Sequence, residues 1–118
     1  MNIDFDMEAE LCLILSELGI PEQLKAYSYL KDLILTAVKD SNALVSDAFY
    51  YSVAKKDNVT RTFVSNVISN AIDKHWNKAS VDIINDHFNG VVQMKRTRPT
   101  NSEFISLIAE NLRLKYKT

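Results

Sequence analysis

The stretch Ser52–Trp76 constrains the fold more than any other part of the chain. It predicts a short helix ending near Lys56, a tight polar turn over residues 57–59, and a longer helix beginning at Thr60. Two helices joined by such a turn form a helix-turn-helix, and the second helix of this motif normally enters the major groove of DNA.

The periodicity of the longer helix separates two faces at roughly 100° per residue. The inward face carries Val64, Val67, Ile68, Ala71, Ile72 and His75. The opposite face carries Thr62, Ser65, Asn66, Ser69, Asn70 and Asp73, with Phe63 at its flank. This second face contains no Lys or Arg before Lys74, so the face that would meet DNA is almost neutral.

This outward face is the candidate for reading bases. Asn, Ser and Thr side chains can hydrogen-bond base edges, and Asn66 or Asn70 could pair with adenine. The base-reading candidates are Thr60, Arg61, Thr62, Phe63, Ser65, Asn66, Ser69 and Asn70. The alternative is an exposed polar face that contacts no DNA. Phe63 fits contact with a thymine methyl group and a protein-binding patch equally well.

A neutral reading face needs positive charge nearby, because phosphate contacts supply most of the affinity for DNA. The formal net charge is -1, so the positive charge has to gather on one surface. The densest positive cluster contains Lys95, Arg96 and Arg98, and its alternative is a solvated basic loop. The phosphate-contact candidates are Lys55, Lys56, Lys74, Lys78, Lys95, Arg96 and Arg98.

Composition favours one all-α domain over residues 1–118. Of the 118 residues 47% are hydrophobic, and only two are Gly and two are Pro. The remaining helices are expected at about Met7–Leu18, Glu22–Asp40, Leu44–Lys56, Val81–Phe88 and from Thr100 to about Lys115. We therefore predict about six helices in an orthogonal bundle that contains the helix-turn-helix.

Local signals mark several helix ends. Gly19 should end the first helix, and Pro21 should open the second. Ser80 is the expected N-cap of the fifth helix, while Thr100 and Glu103 have the spacing of a capping box. The last helix has more apolar residues than its inward face needs, so we expect some of them to remain for a partner.

The sequence lacks the patterns of an enzyme or a metalloprotein. Cys12 is the single cysteine and fits a reducing cytoplasm, and His75 and His87 have no metal-ligand spacing. We find no Gly-rich phosphate loop, no nucleophilic triad and no apolar run near the length of a membrane span. We therefore expect a cytoplasmic protein with no catalytic residue, metal, cofactor, small-molecule substrate or membrane contact.

Several runs of residues match one known family. The main runs are Leu18–Pro21, Ala54–Lys56, Pro99–Ile105 and Leu112–Leu114. Over residues 7–117 the chain resembles the C-terminal effector domain of the stage-zero sporulation response regulator. The resemblance implies an all-helical domain that binds double-stranded DNA through the second helix and dimerises there. It also implies a receiver domain ahead of this one, which we expect to be absent if Met1 is the native start.

The chain departs from this family where the family contacts DNA. The resemblance implies Arg, Glu and Arg at the positions of Phe63, Ser65 and Asn66, and Arg and His at those of Ser69 and Asn70. One hypothesis is therefore a DNA-binding transcriptional regulator with an altered target site. The alternative is a family member that no longer reads DNA. It would act through protein contacts, as a homodimer or by pairing with the full-length sporulation regulator through the C-terminal helix.

Two further departures bear on the local structure. The family has Pro where this chain has Tyr51, which predicts one continuous helix from Leu44 to Lys56. Of the pair Tyr50 and Tyr51, one side chain is expected to face outward. The family has Phe where this chain has Asp57, and a carboxylate in place of a packed ring predicts a looser or more solvated turn.

Overall fold

The computed structural model describes residues 3–40, 42, 48–88 and 98–116, and these residues form six α-helices without a strand among them. The helices are α1 (Ile3–Glu17), α2 (Lys25–Lys39), α3 (Tyr51–Lys56), α4 (Arg61–Trp76), α5 (Val81–Phe88) and α6 (Asn101–Tyr116). The all-α prediction with about six helices is confirmed.

The end of α1 follows the prediction closely. Gly19 has a φ of 86°, and its N–H donates to the carbonyl of Ser16 at 3.0 Å. The N–H of Ile20 donates to the carbonyl of Leu15, also at 3.0 Å. These paired bonds form a Schellman motif, which needs a left-handed residue that glycine adopts without strain. The helix starts earlier than the predicted Met7, in the acidic stretch that favours a helix N-terminus.

The start of α2 differs from the prediction. Pro21 does not open the helix. It belongs to a separate turn, in which its carbonyl accepts the N–H of Leu24 at 3.1 Å. The helix itself begins at Lys25. It contacts α1, α3, α4 and α6, so it is the central element of the core. Its buried residues are Ala26, Tyr27, Tyr29, Leu30, Leu33, Ile34, Ala37 and Val38.

The prediction of a continuous third helix is wrong. Residues 48–50 form a turn, and α3 begins at Tyr51. This is the position where the resemblance implies proline, a residue favoured at the first position of a helix. Tyr51 is exposed and Tyr50 is half-buried, as expected for one outward tyrosine. Residues 43–47 of the predicted helix lie outside the described residues.

The last two helices begin as predicted. The Ser80 hydroxyl accepts the N–H of Ile83 at 3.1 Å at the start of α5. Before α6, the N–H of Thr100 donates to Glu103 Oε1 at 2.8 Å. The N–H of Glu103 donates in return to Thr100 Oγ1 at 3.1 Å, which completes the capping box.

The helix α6 packs mainly on α2 and closes the core. Phe104, Ile105, Ile108, Ala109 and Leu112 are buried, whereas Leu114 is exposed. Arg113 reaches the C-terminal end of α2, where its Nη2 donates to the carbonyl of Ala37 at 2.7 Å. This guanidinium satisfies a carbonyl that the end of a helix leaves without a partner.

Candidate nucleic-acid interface

The turn of the helix-turn-helix closes α3 in the same way that Gly19 closes α1. Asn58 has a φ of 56°, and its N–H donates to the carbonyl of Lys55 at 3.2 Å. The N–H of Val59 donates to the carbonyl of Ala54 at 2.9 Å. Asparagine is the residue after glycine that best tolerates this left-handed conformation. The chain then turns sharply into α4.

Thr60 caps the start of α4. Its Oγ1 accepts the N–H of Phe63 at 3.0 Å, so the helix begins where the sequence predicts. Thr60 and Arg61 are both exposed at this end of the helix. The exposed backbone N–H groups of a helix start also favour an approaching anion such as a DNA phosphate.

Asp57 is exposed at the turn that the sequence predicts to be looser or more solvated, and it also has partners on α2. Its Oδ2 accepts a hydrogen bond from the hydroxyl of Tyr29 and another from Lys25 Nζ at 2.9 Å. These two donors lower the pKa of Asp57, with the Tyr29 hydroxyl the larger cause. Burial, followed by the bond to Asp57, raises the pKa of Tyr29 to about 12. The carboxylate thus links the turn to α2.

The outward face of α4 is narrower than predicted. Thr62, Asn66 and Asn70 are exposed, and Phe63 is 42% exposed beside them. Ser65 and Ser69 are half-buried, because the start of α6 lies against them. Periodicity alone could not distinguish these serines from their neighbours, since their cover comes from a segment about thirty residues further along the chain.

Arg98 provides much of this cover. Its Nη2 donates to Ser69 Oγ at 2.7 Å, and its Nε donates to Asp73 Oδ1 at 2.5 Å. Its Nη1 donates to the carbonyl of Pro99 at 2.8 Å and to Asn101 Oδ1 at 3.2 Å. Asn101 Nδ2 donates in turn to the carbonyl of Ser65 at 3.0 Å. We refer to Arg98, Asp73, Ser69, Asn101 and Ser65 as the α4–α6 network.

The predicted phosphate contacts lie in different surroundings. Lys74 and Lys78 are exposed at the end of α4, on either side of His75 in the chain. Lys55 Nζ lies 5.9 Å from the centre of the Tyr51 ring. Lys56 Nζ lies 3.7 Å from Asp32 Oδ2 and so faces α2. Lys95 and Arg96 lie outside the described residues.

His75 is buried on the inward face of α4, as predicted. Burial lowers its pKa, and the charges of Lys78 and then Lys74 lower it further. Within the part of the chain that the structure describes, His75 Nε2 and Trp76 Nε1 are buried without a hydrogen-bond partner. A cavity of about 260 Å³ lies beside His75, between Leu24 at the start of α2 and Val67 on α4. Val67 is therefore half-buried rather than fully inward.

The described residues contain no group of three or more His, Cys, Asp or Glu side chains that could hold a metal ion. In the same parts of the chain, none of the helices has both the length and the apolar character needed to cross a membrane.

Comparison with known families gives one match that spans nearly the whole chain. A family model described as "Sporulation initiation factor Spo0A C terminal" matches residues 11–112. The match includes the complete helix-turn-helix, the α4–α6 network and the buried part of α6.

Proposed function

Since this chain belongs to the family of sporulation initiation factor Spo0A C-terminal domains, we propose that α4 is its DNA-reading helix and that it reads an altered target site. The family consists of DNA-binding regulatory domains, not of enzymes. We propose that residues 1–118 form one domain that contacts double-stranded DNA. Contact with DNA would place the protein in the cytoplasm.

The observation that supports this proposal is the exposed neutral arc of α4. Thr62, Asn66 and Asn70 are exposed on it, and Phe63 lies at its edge. An asparagine amide can donate to and accept from adenine in the major groove, while a Phe ring can contact a thymine methyl group. We assign base reading to this arc and exclude Ser65 and Ser69, whose side chains face the start of α6.

Phosphate binding is assigned to the positive residues at the two ends of α4. Arg61 is exposed at the start of the helix, and Lys74 and Lys78 are exposed at its end. Lys95 and Arg96 remain candidates from the sequence. Each phosphate that a Lys or Arg neutralises releases counterions from DNA, so the affinity should fall steeply as salt rises.

A fluorescence anisotropy titration against a random-sequence duplex pool, at low and moderate salt, tests the proposal. Enrichment of bound duplexes then identifies the preferred site. Asn66→Ala should reduce the preference for that site about tenfold and leave non-specific affinity unchanged. Lys74→Ala should weaken binding to all sequences and reduce the salt slope by about one.

Lys39→Ala is the matched control. Lys39 is exposed at the C-terminal end of α2, whereas the cavity beside α4 lies at the N-terminal end of α2. This variant should leave both affinity and salt slope unchanged. Absence of any retained duplex at low salt would refute DNA binding. An Asn66→Ala protein with unaltered sequence preference would refute the assignment of the reading arc.

We also propose that α6 carries a small pairing surface for a second copy or a related regulator. Leu114 is 61% exposed, whereas Leu112 nearby is buried in the core. This surface is smaller than the sequence suggests, because α6 uses most of its apolar residues against α2. It is the feature that favours the alternative function through protein contacts.

Sedimentation analysis over a range of concentrations tests the pairing surface. Leu114→Glu should shift the protein toward the monomer, because a carboxylate on an apolar contact is costly to desolvate. Leu13→Glu is the matched control, since Leu13 is 59% exposed on α1. Equal behaviour of the two variants would contradict pairing through α6.

A further inference from the structure

We refer to Thr62, Asn66, Ser69 and Asp73 as the outward strip of α4, and Asp73 is its one acidic residue. Thr62, Asn66, Ser69 and Asp73 have spacings of four, three and four residues, so they follow one another along the same side of the helix. The Asp73 side chain is 61% exposed. An unpaired carboxylate there would repel the phosphates of any DNA that lies along this strip.

Arg98 is bound to this carboxylate and has little capacity left for another anion. A guanidinium has five N–H donors. Arg98 uses its Nε on Asp73, both N–H groups of Nη1 on Pro99 and Asn101, and one of Nη2 on Ser69. A single N–H therefore remains for a phosphate. The side chain is also only 23% exposed, much less than its partner Asp73.

The same contacts fix the position of α4 relative to α6. Arg98 and Asn101 both precede or begin α6, and they hold Ser69 and Ser65 on α4. Asn101 belongs to the run of residues 99–105 that carries the family resemblance. The network thus joins the start of α6 to the flank of α4. Its bonds reach a side-chain hydroxyl of α4 at Ser69 and a backbone carbonyl of α4 at Ser65.

We propose that Arg98 is a positioning and charge-masking residue for the DNA-binding surface and does not itself grip a phosphate. Its guanidinium neutralises Asp73 so that a DNA backbone can approach the strip, and its bonds to Ser69 and Asn101 hold α4 against α6. The proposal rests on the DNA-binding function above. It replaces the direct phosphate contact that the sequence suggests for this residue.

A double-mutant cycle distinguishes masking from direct contact. Arg98→Gln exposes the charge of Asp73 and should weaken binding to a random-sequence duplex about fivefold, the effect of one unit charge a few ångström from a phosphate in water. Addition of Asp73→Asn removes that charge, so the double variant should recover the affinity and the salt slope of the wild type. Arg98→Lys keeps the charge and should retain most of the affinity.

Direct phosphate contact gives the opposite result. The double variant would then remain weaker than the wild type, with a salt slope lower by about one, because Asp73→Asn removes the repulsion but does not restore the lost phosphate contact. That outcome would overturn the inference while leaving the proposed function intact. Wild-type protein that retains no duplex at low salt would overturn both. Thermal melts of each variant, followed by circular dichroism, establish that the compared proteins are folded.

An NMR titration of the wild-type protein tests the same point without any substitution. The Nε–Hε resonance of Arg98 reports its bond to Asp73 Oδ1, which spans 2.5 Å. If Arg98 masks Asp73, this resonance should change little when the duplex pool is added, while the amides of Asn66 and Asn70 shift. A large shift of the Arg98 resonance, with loss of its contact to Asp73, would refute masking.

Discussion

Asp57 differs from the residue that the family resemblance implies, and its side chain has hydrogen-bond partners on another helix. The resemblance implies a packed phenylalanine at this position, and the carboxylate instead accepts bonds from Tyr29 and Lys25 on α2. Because these donors lower its pKa, the carboxylate contributes stability above its ordinary pKa of 3.8 and loses that contribution as the pH falls. A hydrogen bond from Tyr29 and an ion pair with Lys25 therefore join the turn to α2.

We predict that Tyr29→Phe lowers the free energy of unfolding by about 1.5 kcal/mol, because it removes a bond to a charged acceptor while keeping the buried ring. Urea unfolding measures this loss. Tyr27→Phe is the matched control, since the Tyr27 hydroxyl reaches the Cys12 carbonyl only at 3.5 Å. Equal losses in the two variants would contradict a specific role for the bond to Asp57.

His75 makes stability depend on pH in mildly acidic solution. Its pKa lies below the ordinary value of 6.5, because burial disfavours the charged ring and Lys78 and Lys74 add repulsion. The unfolded chain therefore takes up a proton on His75 more readily than the folded chain. Its contribution to stability is present above pH 6.5 and is lost as the pH falls through the folded-state pKa.

We predict that His75→Leu makes the free energy of unfolding less dependent on pH below 6.5 than in the wild type. Chemical unfolding of both proteins at several pH values provides the comparison. His87→Leu is the control, because the His87 side chain is partly exposed and pairs with Glu17 at 3.2 Å. A wild-type pH profile that His75→Leu leaves unchanged would refute the assignment.

At the scale of elements, the helix-turn-helix depends on a short turn with a left-handed residue. Asn58 occupies that position, and the bonds that follow it orient α4 relative to α3. The sequence predicted the turn and the start of α4 because both depend on residues within a few positions of one another. It misjudged the start of α3, since a tyrosine at position 51 contains no signal that a helix begins there.

Substitution of Asn58 tests this turn. Asn58→Ala should lower the free energy of unfolding by about 1 kcal/mol, because a Cβ without a compensating local bond disfavours positive φ. Asn58→Gly should be neutral or slightly stabilising, as glycine adopts this region freely. Thermal unfolding of the two variants measures the difference. An alanine variant as stable as the glycine variant would contradict the left-handed assignment.

At the scale of the whole molecule, α2 and α6 form the support on which the helix-turn-helix rests. Ile108 on α6 is fully buried, and Arg113 on the same helix binds the carbonyl of Ala37 at the end of α2. Leu114 lies outside this packing. The run of residues 112–114 that helped to identify the family therefore contains a core residue, a cap for another helix and an exposed residue.

Ile108→Ala should lower the free energy of unfolding by about 3 kcal/mol through lost burial and the cavity it leaves. Leu114→Ala should change the free energy of unfolding of the monomer by less than about 0.5 kcal/mol. Denaturant unfolding at low protein concentration measures both. A comparable loss from Leu114→Ala would show that this residue supports the core.

The sequence by itself determined the helices and most of their ends. Periodicity, the glycine after α1, the Ser80 cap and the capping box at Thr100 act over a few residues, and each appears in the structure as predicted. The motif and the family followed from the same local patterns. Helical phase also identified most of the buried face of α4.

Only the tertiary structure decided which polar residues of α4 remain exposed. Ser65 and Ser69 look the same as Asn66 and Asn70 along the sequence, yet Asn101 and Arg98 cover the serines. Asp57 likewise finds Tyr29, 28 residues away. Such partners meet because the packing of the helices fixes their distance and orientation, and neither quantity is encoded in the spacing of residues along the chain.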